Sequence, residues 1–314
     1  MKEALAAFGL DGQEPRLISH RENRVYEVAL HGGRRAALRL HRPGYHDFAA
    51  LASEMLVLEA CSDAGLAVPA PLPARNGARV VALEAGGAAS LISWIDGVPI
   101  GQSGARLGLP KAVARARYAE LGAALARLHD ALDRWTPPRG FQRPRWDAQG
   151  LLGEAPVWGR FWESPILEAS ERALIEEARK AAMSRLAGIG DTGIVHADPV
   201  RENLLVQAGG TVALIDFDDC GTGFRLHDLA TALHPNDEEP DAAGLRGALL
   251  EGYARHRALP RDVEAGLDLF LMVRAFTLLG WIAARAGQSG MEARGQRMRA
   301  IACARATDWM RANT

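Results

Sequence analysis

An apolar run ends in Ile194-Val195-His196-Ala197-Asp198, Asn203 follows Asp198 by five positions, and a second apolar run, Leu214-Ile215, ends in Asp216 thirteen residues after Asn203. Short apolar runs bounded by polar residues read as strands, so this stretch is a strand, a loop and a hairpin that brings a second acid back. The order supplies one base and two oxygen ligands. Phosphoryl transfer needs those groups, because the protein does little covalent work. It orients an acceptor hydroxyl and neutralises a triphosphate through Mg²⁺, which prefers octahedral oxygen ligands. In this reading Asp198 takes the proton of the attacking hydroxyl, the Asn203 carbonyl oxygen and the Asp216 carboxylate hold magnesium, and His196 braces the loop. Two other readings use the same residues. His196, Asp198, Asp216, Asp218 and Asp219 also have the spacing of a transition-metal cluster, although Asn203 and the lack of further histidine ligands favour a hard cation. A purely structural set of acids would leave carboxylates repelling one another without a cation.

A chain of 314 residues, 48 % of them hydrophobic, is long enough for one large or two moderate domains around a substantial core. The 37 basic and 38 acidic residues are interspersed, without a run of five or more like charges, which argues against a nucleic-acid partner. Cys61, Cys220 and Cys303 are widely spaced, odd in number and form no Cys-x-x-Cys pair, as reduced cytosolic thiols would be. The first residues lack the long apolar core of a signal peptide, and no stretch of about eighteen apolar residues is apparent. A cytoplasmic protein with no membrane partner is expected. Oligomeric state is not written in the sequence.

Along the chain, residues 24–30 alternate as a strand, 31–34 carry a turn signal and 35–41 alternate again, predicting a hairpin. Leu38 and Leu40 would share one face and Ala37 and Arg39 the other. Asp47 can cap a helix to about Asp63, with Leu51, Met55, Leu58 and Cys61 at helical spacing and Glu54 on it. Strands are expected over 79–84 and 88–94. Beyond them the chain, outside the hairpin, reads as helical: 112–132, 167–186, 241–256, 262–285 and 291–311. His129 follows Leu128 near the end of the first of these helical stretches.

Three blocks occur in order: His196-Ala197-Asp198 with Asn203, Ile215-Asp216-Phe217-Asp218-Asp219, and Arg225-Leu226-His227-Asp228-Leu229-Ala230. Together they resemble the aminoglycoside phosphotransferase and choline kinase-like family of the protein-kinase-like fold, which includes ethanolamine, fructosamine and homoserine kinases. The resemblance implies an α+β, two-lobed architecture: a small antiparallel-sheet N-lobe with one helix over residues 1–94, and a larger, mainly helical C-lobe over 95–314. It implies ATP and Mg²⁺ as cofactors and Ser93, Trp94 and Ile95 as the hinge that meets adenine. Arg39 and Glu54 stand where the family fold has a phosphate-binding lysine and its glutamate; a surface ion pair is the alternative. Asn23, in a glycine-poor loop from His20 to Tyr26, would cover the phosphates, unless that loop is an ordinary turn. Asp228 corresponds to an acid that braces the catalytic segment, and Asp218 to one that contacts metal or orients the loop.

Departures from the protein-kinase pattern bear on the acceptor. Val200 stands where protein kinases have a lysine, and the nearest cation is Arg201. Phe217-Asp218 replaces Phe-Gly after the metal acid, and only eleven residues separate Asp216 from Asp228, too few for a long activation loop. Pro199 biases Asp198 towards extended backbone. A small hydroxyl compound (an amino alcohol, a sugar or an aminoglycoside) is therefore expected as acceptor. The alternatives are a bacterial Ser/Thr protein kinase of the same branch and a nucleotide-binding pseudokinase; GTP in place of ATP stays open. Residues 135–165 hold a concentration of aromatics, in which Trp158 and Trp162, with Glu163 or Asp219 as counter-charge, would cage a cationic acceptor by cation–π attraction or else serve as packing anchors.

Overall fold

The computed structural model describes residues 1–20, 23–84 and 86–313. Arg21 and Glu22, in the loop expected to cover phosphates, lie outside them. The chain forms two compact units. The first comprises Met1–Pro99, Asp130–Arg143 and Leu204–Asp218; the second comprises Ile100–His129, Pro144–Asn203 and the chain from Asp219 onward.

Through residue 99 the elements are α1 (Lys2–Ala7), β1 (Arg16–His20), β2 (Arg24–Ala29), β3 (Arg35–His41), α2 (Phe48–Asp63), β4 (Pro71–Leu72), β5 (Val80–Ala82), β6 (Ala88–Ser93) and β7 (Val98–Pro99). Then follow α3 (Lys111–Arg134), β8 (Arg145–Trp146), α4 (Ala148–Leu152), α5 (Ala169–Leu186), β9 (Thr192–Val195), β10 (Leu204–Val206), β11 (Val212–Leu214), β12 (Gly221–Phe224), α6 (Arg225–Leu233), α7 (Ala242–Ala254), α8 (Val263–Ala283) and α9 (Met291–Asn313).

The first unit is built on an antiparallel sheet in the order β1-β2-β3-β6-β4, with β5 also on β6. Strand β3 lies between β2 and β6, and its residues Ala36 to Arg39 are buried on both faces. Leu38 joins Val28, Leu91, Ala4 and Leu5 in one core cluster against which Leu40 packs, while Arg39 is buried on the opposite side. The hairpin turn closes through Leu30 N–H donating to the Arg34 carbonyl, with Gly32 and Gly33 at φ of 76° and 75°. Helix α2 starts where Asp47 accepts from the Ala50 amide at 2.7 Å, and Leu51, Met55, Leu58 and Cys61 are all buried along it.

Two differences from the sequence reading have simple causes. Helix α1 has only six residues, too few to show a periodicity; burial of Ala4 and Leu5 holds it in place. The strand expected over 79–84 stops at Ala82 because Leu83 pairs with Gly87 across a turn.

The same unit includes a second sheet, β11-β10-β7, in which Leu205 pairs with Pro99 and Val206 with Val98. Gly97 is required there: a Cβ would stand 2.9 Å from Leu205 Cβ and 3.1 Å from the Val206 carbonyl oxygen.

The second unit is mainly helical. Helix α8 packs against α5, α6 and α9, and a third sheet, β8-β12-β9, lies beside α6. An 18-residue window of α8 has mean hydropathy 1.6, long and apolar enough to cross a bilayer, which the reading of the sequence did not register. With 78 % of that window buried, it is a core helix of this unit. Helices α3 and α7 meet at Gly122 and Gly252. A Cβ on the first would overlap the Leu249 carbonyl and one on the second the Ala119 carbonyl.

Candidate active site

In the second unit, β9 is paired with β12 from Thr192 to Val195 and releases the chain at His196. Ala197 has φ of 67°, in the left-handed region. Only Ala197 and Asp216 among the described non-glycine residues do so. Both sit at the ends of strands where a candidate side chain is delivered, the kind of place where backbone strain is held by its surroundings.

What holds Ala197 is Asp228. Its fully buried carboxylate accepts from the His196 amide at 2.9 Å, the Ala197 amide at 2.7 Å and His129 Nε2 at 3.0 Å. Burial alone would push this acid up; the hydrogen bond and charge of His129, with the loop's own donors, outweigh it and hold the carboxyl below its ordinary value. His129 Nδ1 meets the Tyr253 hydroxyl at 2.8 Å, so a buried Tyr–His–Asp chain ends on two amides of the loop. His196 is buried, and its Nδ1 accepts from the Asp198 amide at 3.3 Å.

Asp198 follows with its side chain 24 % exposed. Its Oδ1 accepts from Arg274 Nη2 at 2.5 Å, and its Oδ2 from Asn203 Nδ2 at 3.3 Å. Asn203 Nδ2 also donates to the Asp198 carbonyl at 3.0 Å. Its amide group is thus turned to Asp198, and its carbonyl oxygen accepts no hydrogen bond among the described residues.

Arg201 turns away from this group. It is fully buried, donating to the Ala105 carbonyl at 2.6 Å, Asn236 Oδ1 at 2.6 Å and Glu239 Oε1 at 2.8 Å. It anchors the loop; the cation on Asp198 is Arg274.

In the first unit, Arg39 on β3 is ion-paired with Glu54 on α2, both buried. Its Nη2 also lies 3.2 Å from Asp218 Oδ1 and 4.0 Å from Asp216 Oδ1. Burial alone would lower the Arg39 pKa; the carboxylates of Glu54, Asp218 and Asp216 raise it instead, so the guanidinium stays charged. Asn23 Nδ2 donates to Asp218 Oδ1 at 3.2 Å, and its Oδ1 accepts from the Arg42 amide at 3.1 Å. The Asp218 carbonyl accepts from Arg143 and from His46 Nε2 at 2.8 Å. Burial, then the nearby Arg143 charge, lowers the His46 pKa and keeps that imidazole neutral. The Asp216 side chain is 52 % exposed.

At the expected hinge, Ser93 donates its amide to the Ala70 carbonyl and accepts from the Ala70 amide on Oγ, both at 2.8 Å. The Trp94 amide donates to Arg35, whose guanidinium also covers the Trp94 ring at 4.9 Å. The Ile95 amide makes no hydrogen bond among the described residues.

The aromatic segment faces the protein's own cations. The Trp162 ring lies under Arg179 at 3.7 Å and Arg160 at 5.1 Å, and Trp158 under Arg274 at 4.8 Å. Glu163 pairs with Arg160 at 2.8 Å, and the Asp219 carbonyl accepts from Trp146 Nε1 at 2.7 Å.

Each unit by itself offers one oxygen donor of the type Mg²⁺ prefers, the half-exposed Asp216 carboxylate in the first and the Asn203 carbonyl oxygen in the second. No group of three or more His, Cys, Asp and Glu side chains among the described residues is arranged to hold a metal, so the transition-metal reading finds no cluster. Three residues that touch Asp198 or Asp218 escaped the reading of the sequence. Arg274 had a visible signal: it is the one charge between Leu269 and Ala283, in the middle of the most apolar helix. Arg143 and His46 had none, since both act on a main-chain carbonyl.

The solved microcompartment-associated aminopropanol kinase matches this chain with a TM-score of 0.84 at 31 % identity, over 99 % of this chain and 97 % of the other. The homoserine kinase of Acidiphilium cryptum is 31 % identical over 235 residues, 70 % of this chain and 67 % of its own. An amicoumacin kinase solved with AMP-PNP and Ca²⁺ shares the fold at 19 % identity, with a TM-score of 0.77 over 96 % of this chain and 91 % of that one. The profile of the phosphotransferase enzyme family matches residues 15–259. A protein-kinase-like fold carrying these three sequence blocks, matched by that profile over most of its length, belongs to the phosphotransferase enzyme family and is a small-molecule kinase.

Proposed function

We propose that the protein transfers the γ-phosphate of ATP to the hydroxyl of a small amino alcohol, with Asp198 as general base. The observation that carries this reading is the setting of Asp198. It is a partly exposed carboxylate at the end of a strained turn, fixed from behind by Asp228 and flanked by the amide of Asn203. Asp198 accepts the proton of the acceptor hydroxyl as its oxygen bonds to the γ-phosphorus and the bond to the nucleoside diphosphate breaks. Asn203 and Asp216 would hold Mg²⁺, which supplies charge neutralisation on the phosphates. Arg39, kept charged and oriented by Glu54, would bind phosphate oxygens, and the Ile95 amide is the hinge donor left for adenine. The amino alcohol class rests on two relatives at 31 % identity, an aminopropanol kinase and a homoserine kinase. A cytoplasmic setting suits an ATP consumer whose buried Cys61 and Cys220 form no disulfide among the described residues.

The test is ATP-dependent transfer with Mg²⁺ across 1-amino-2-propanol, L-homoserine, choline, a hexose and kanamycin, with casein as a protein acceptor. Transfer to an amino alcohol is expected, and Asp198→Ala should lower kcat by about a thousandfold or more while AMP-PNP binding is retained. Unchanged turnover in that variant removes Asp198 as base. Transfer to casein alone would favour the protein-kinase alternative, and AMP-PNP binding with no transfer the pseudokinase.

A further inference from the structure

Resting on that reading, we propose that Arg274, seated on Trp158, is a positioning residue. It pins one oxygen of Asp198 so that only the other, Oδ2, faces the acceptor hydroxyl. A carboxylate on a loop can rotate about its terminal bond and present either oxygen, and general-base transfer needs one of them aligned with the attacking O–H. Here Oδ1 is held by Arg274 Nη2 at 2.5 Å, while Oδ2 has only the 3.3 Å contact from Asn203.

Arg274 is built to hold that position. It is 1 % exposed in the middle of α8, and its guanidinium lies over the Trp158 ring at 4.8 Å. The ring is itself placed by close backbone contact with α8: a Cβ on Gly280 would stand 2.6 Å from the Trp158 carbonyl oxygen. Among the described residues Arg274 Nε and Nη1 have no hydrogen-bond partner, so the aromatic face and Asp198 are what compensate the buried charge. A core selected for stability alone would favour an apolar residue at this point of an apolar helix, since a buried charge with unpaired donors is costly. The single hydrogen bond to the base is what this arrangement provides.

Trp158 thereby takes a different part from the cation cage considered from sequence. Its ring carries the protein's own cation, one residue away from the base.

The experiment compares wild type with Arg274→Gln, Arg274→Lys and Trp158→Phe, using ATP, Mg²⁺ and L-homoserine or 1-amino-2-propanol. Thermal melting and AMP-PNP binding confirm that each variant is folded. Arg274→Gln should lower kcat about 100-fold with KM for ATP within about twofold. Arg274→Lys, which keeps a charged donor, should recover about tenfold of that loss, and Trp158→Phe should fall between. A kcat for Arg274→Gln within about twofold of wild type overturns the proposal, as does Arg274→Lys no better than Arg274→Gln. Should Arg274→Gln not fold, Arg274→Lys decides alone: kcat about tenfold down supports the proposal, and full activity overturns it. Crystal structures give a readout that needs no acceptor. The Asp198 carboxylate should hold one orientation in wild type and turn in the variant; an unmoved carboxylate overturns the proposal. If the wild type transfers phosphate to neither amino alcohol, the functional reading fails by itself and the structural comparison still decides the role of Arg274.

Discussion

Arg39 shows how one substitution reshapes a site. A lysine would offer one ammonium to Glu54, whereas the guanidinium fork pairs with Glu54 through Nη1 and with Asp218 through Nη2. Asp218 is in turn tied to Asn23, so three segments of the first unit meet on one cation. Removing it takes the cation away from two buried carboxylates, Glu54 and Asp218. Arg39→Met should therefore cost roughly 3–5 kcal/mol of stability, and Arg39→Lys, which keeps the Glu54 contact and gives up Asp218, about 1–2 kcal/mol. Denaturant midpoints measure both, and AMP-PNP affinity should fall in the same order. Equal stability of Arg39→Met and wild type would mean that the network is dispensable. The pair with Glu54 was legible because a strand residue and a helix residue of opposite charge stood at familiar places. The link to Asp218 was not, because nothing in a linear pattern says which of two acids, Asp216 or Asp218, turns towards the cation. The same limit applies to Arg201, which looked available near Asp198 and is instead buried on Asn236 and Glu239.

At the scale of elements, periodicity located what was long and amphipathic. Helix α2 begins at the predicted cap, and α5, α7, α8 and α9 begin and end within a few residues of the expected positions. Short pieces with no repeat to display, such as α1 or the two-residue strands β4, β7 and β8, were not legible; they exist because tertiary neighbours supply their hydrogen bonds and burial. Helix packing is another layer the pattern conceals. A glycine weakens an isolated helix, yet Gly122 lets α3 approach the Leu249 carbonyl of α7. An alanine in a solvent-facing helix position should add stability through its better propensity, by about 1 kcal/mol. Here the clash decides the sign, and Gly122→Ala should instead lose about 2–3 kcal/mol as α3 and α7 are forced apart. Thermal melting gives the sign directly, and a raised Tm would show that the two helices have room to adjust.

Across the whole molecule, acid sensitivity follows from histidines buried as neutral groups in both units. Burial, reinforced by the Arg39 charge, lowers His41 in the first unit to about 3. Burial, with the Arg274 charge, lowers His227 in the second to about 3, and His234 is also held well below its ordinary value by burial and surrounding arginines. In the unfolded chain each titrates near 6.5, so between about pH 6.5 and 3 the unfolded state binds more protons and stability rises with pH. Lowering the pH from 6 to 4 should therefore cost up to about 1.4 kcal/mol per pH unit for each such histidine. Asp228 acts in the same sense but lower down: its depressed pKa contributes stability that is present above its ordinary value of 3.8 and lost only as pH falls below it. Histidines thus govern the upper part of the acid limb. His227 allows the effect to be isolated, because neither ring nitrogen has a partner among the described residues and the ring is stacked with Trp146 and edge-on to Phe270. Phenylalanine preserves that packing and cannot take a proton. His227→Phe should match or exceed wild-type stability at pH 7 and flatten the acid limb by about 1.4 kcal/mol per pH unit between pH 6 and 4, leaving the His41 contribution of the first unit in place. Denaturant titrations at pH 7, 6, 5 and 4 read this as a smaller drop in midpoint for the variant; parallel curves for the two proteins would show that His227 is not among the groups that take up protons on unfolding.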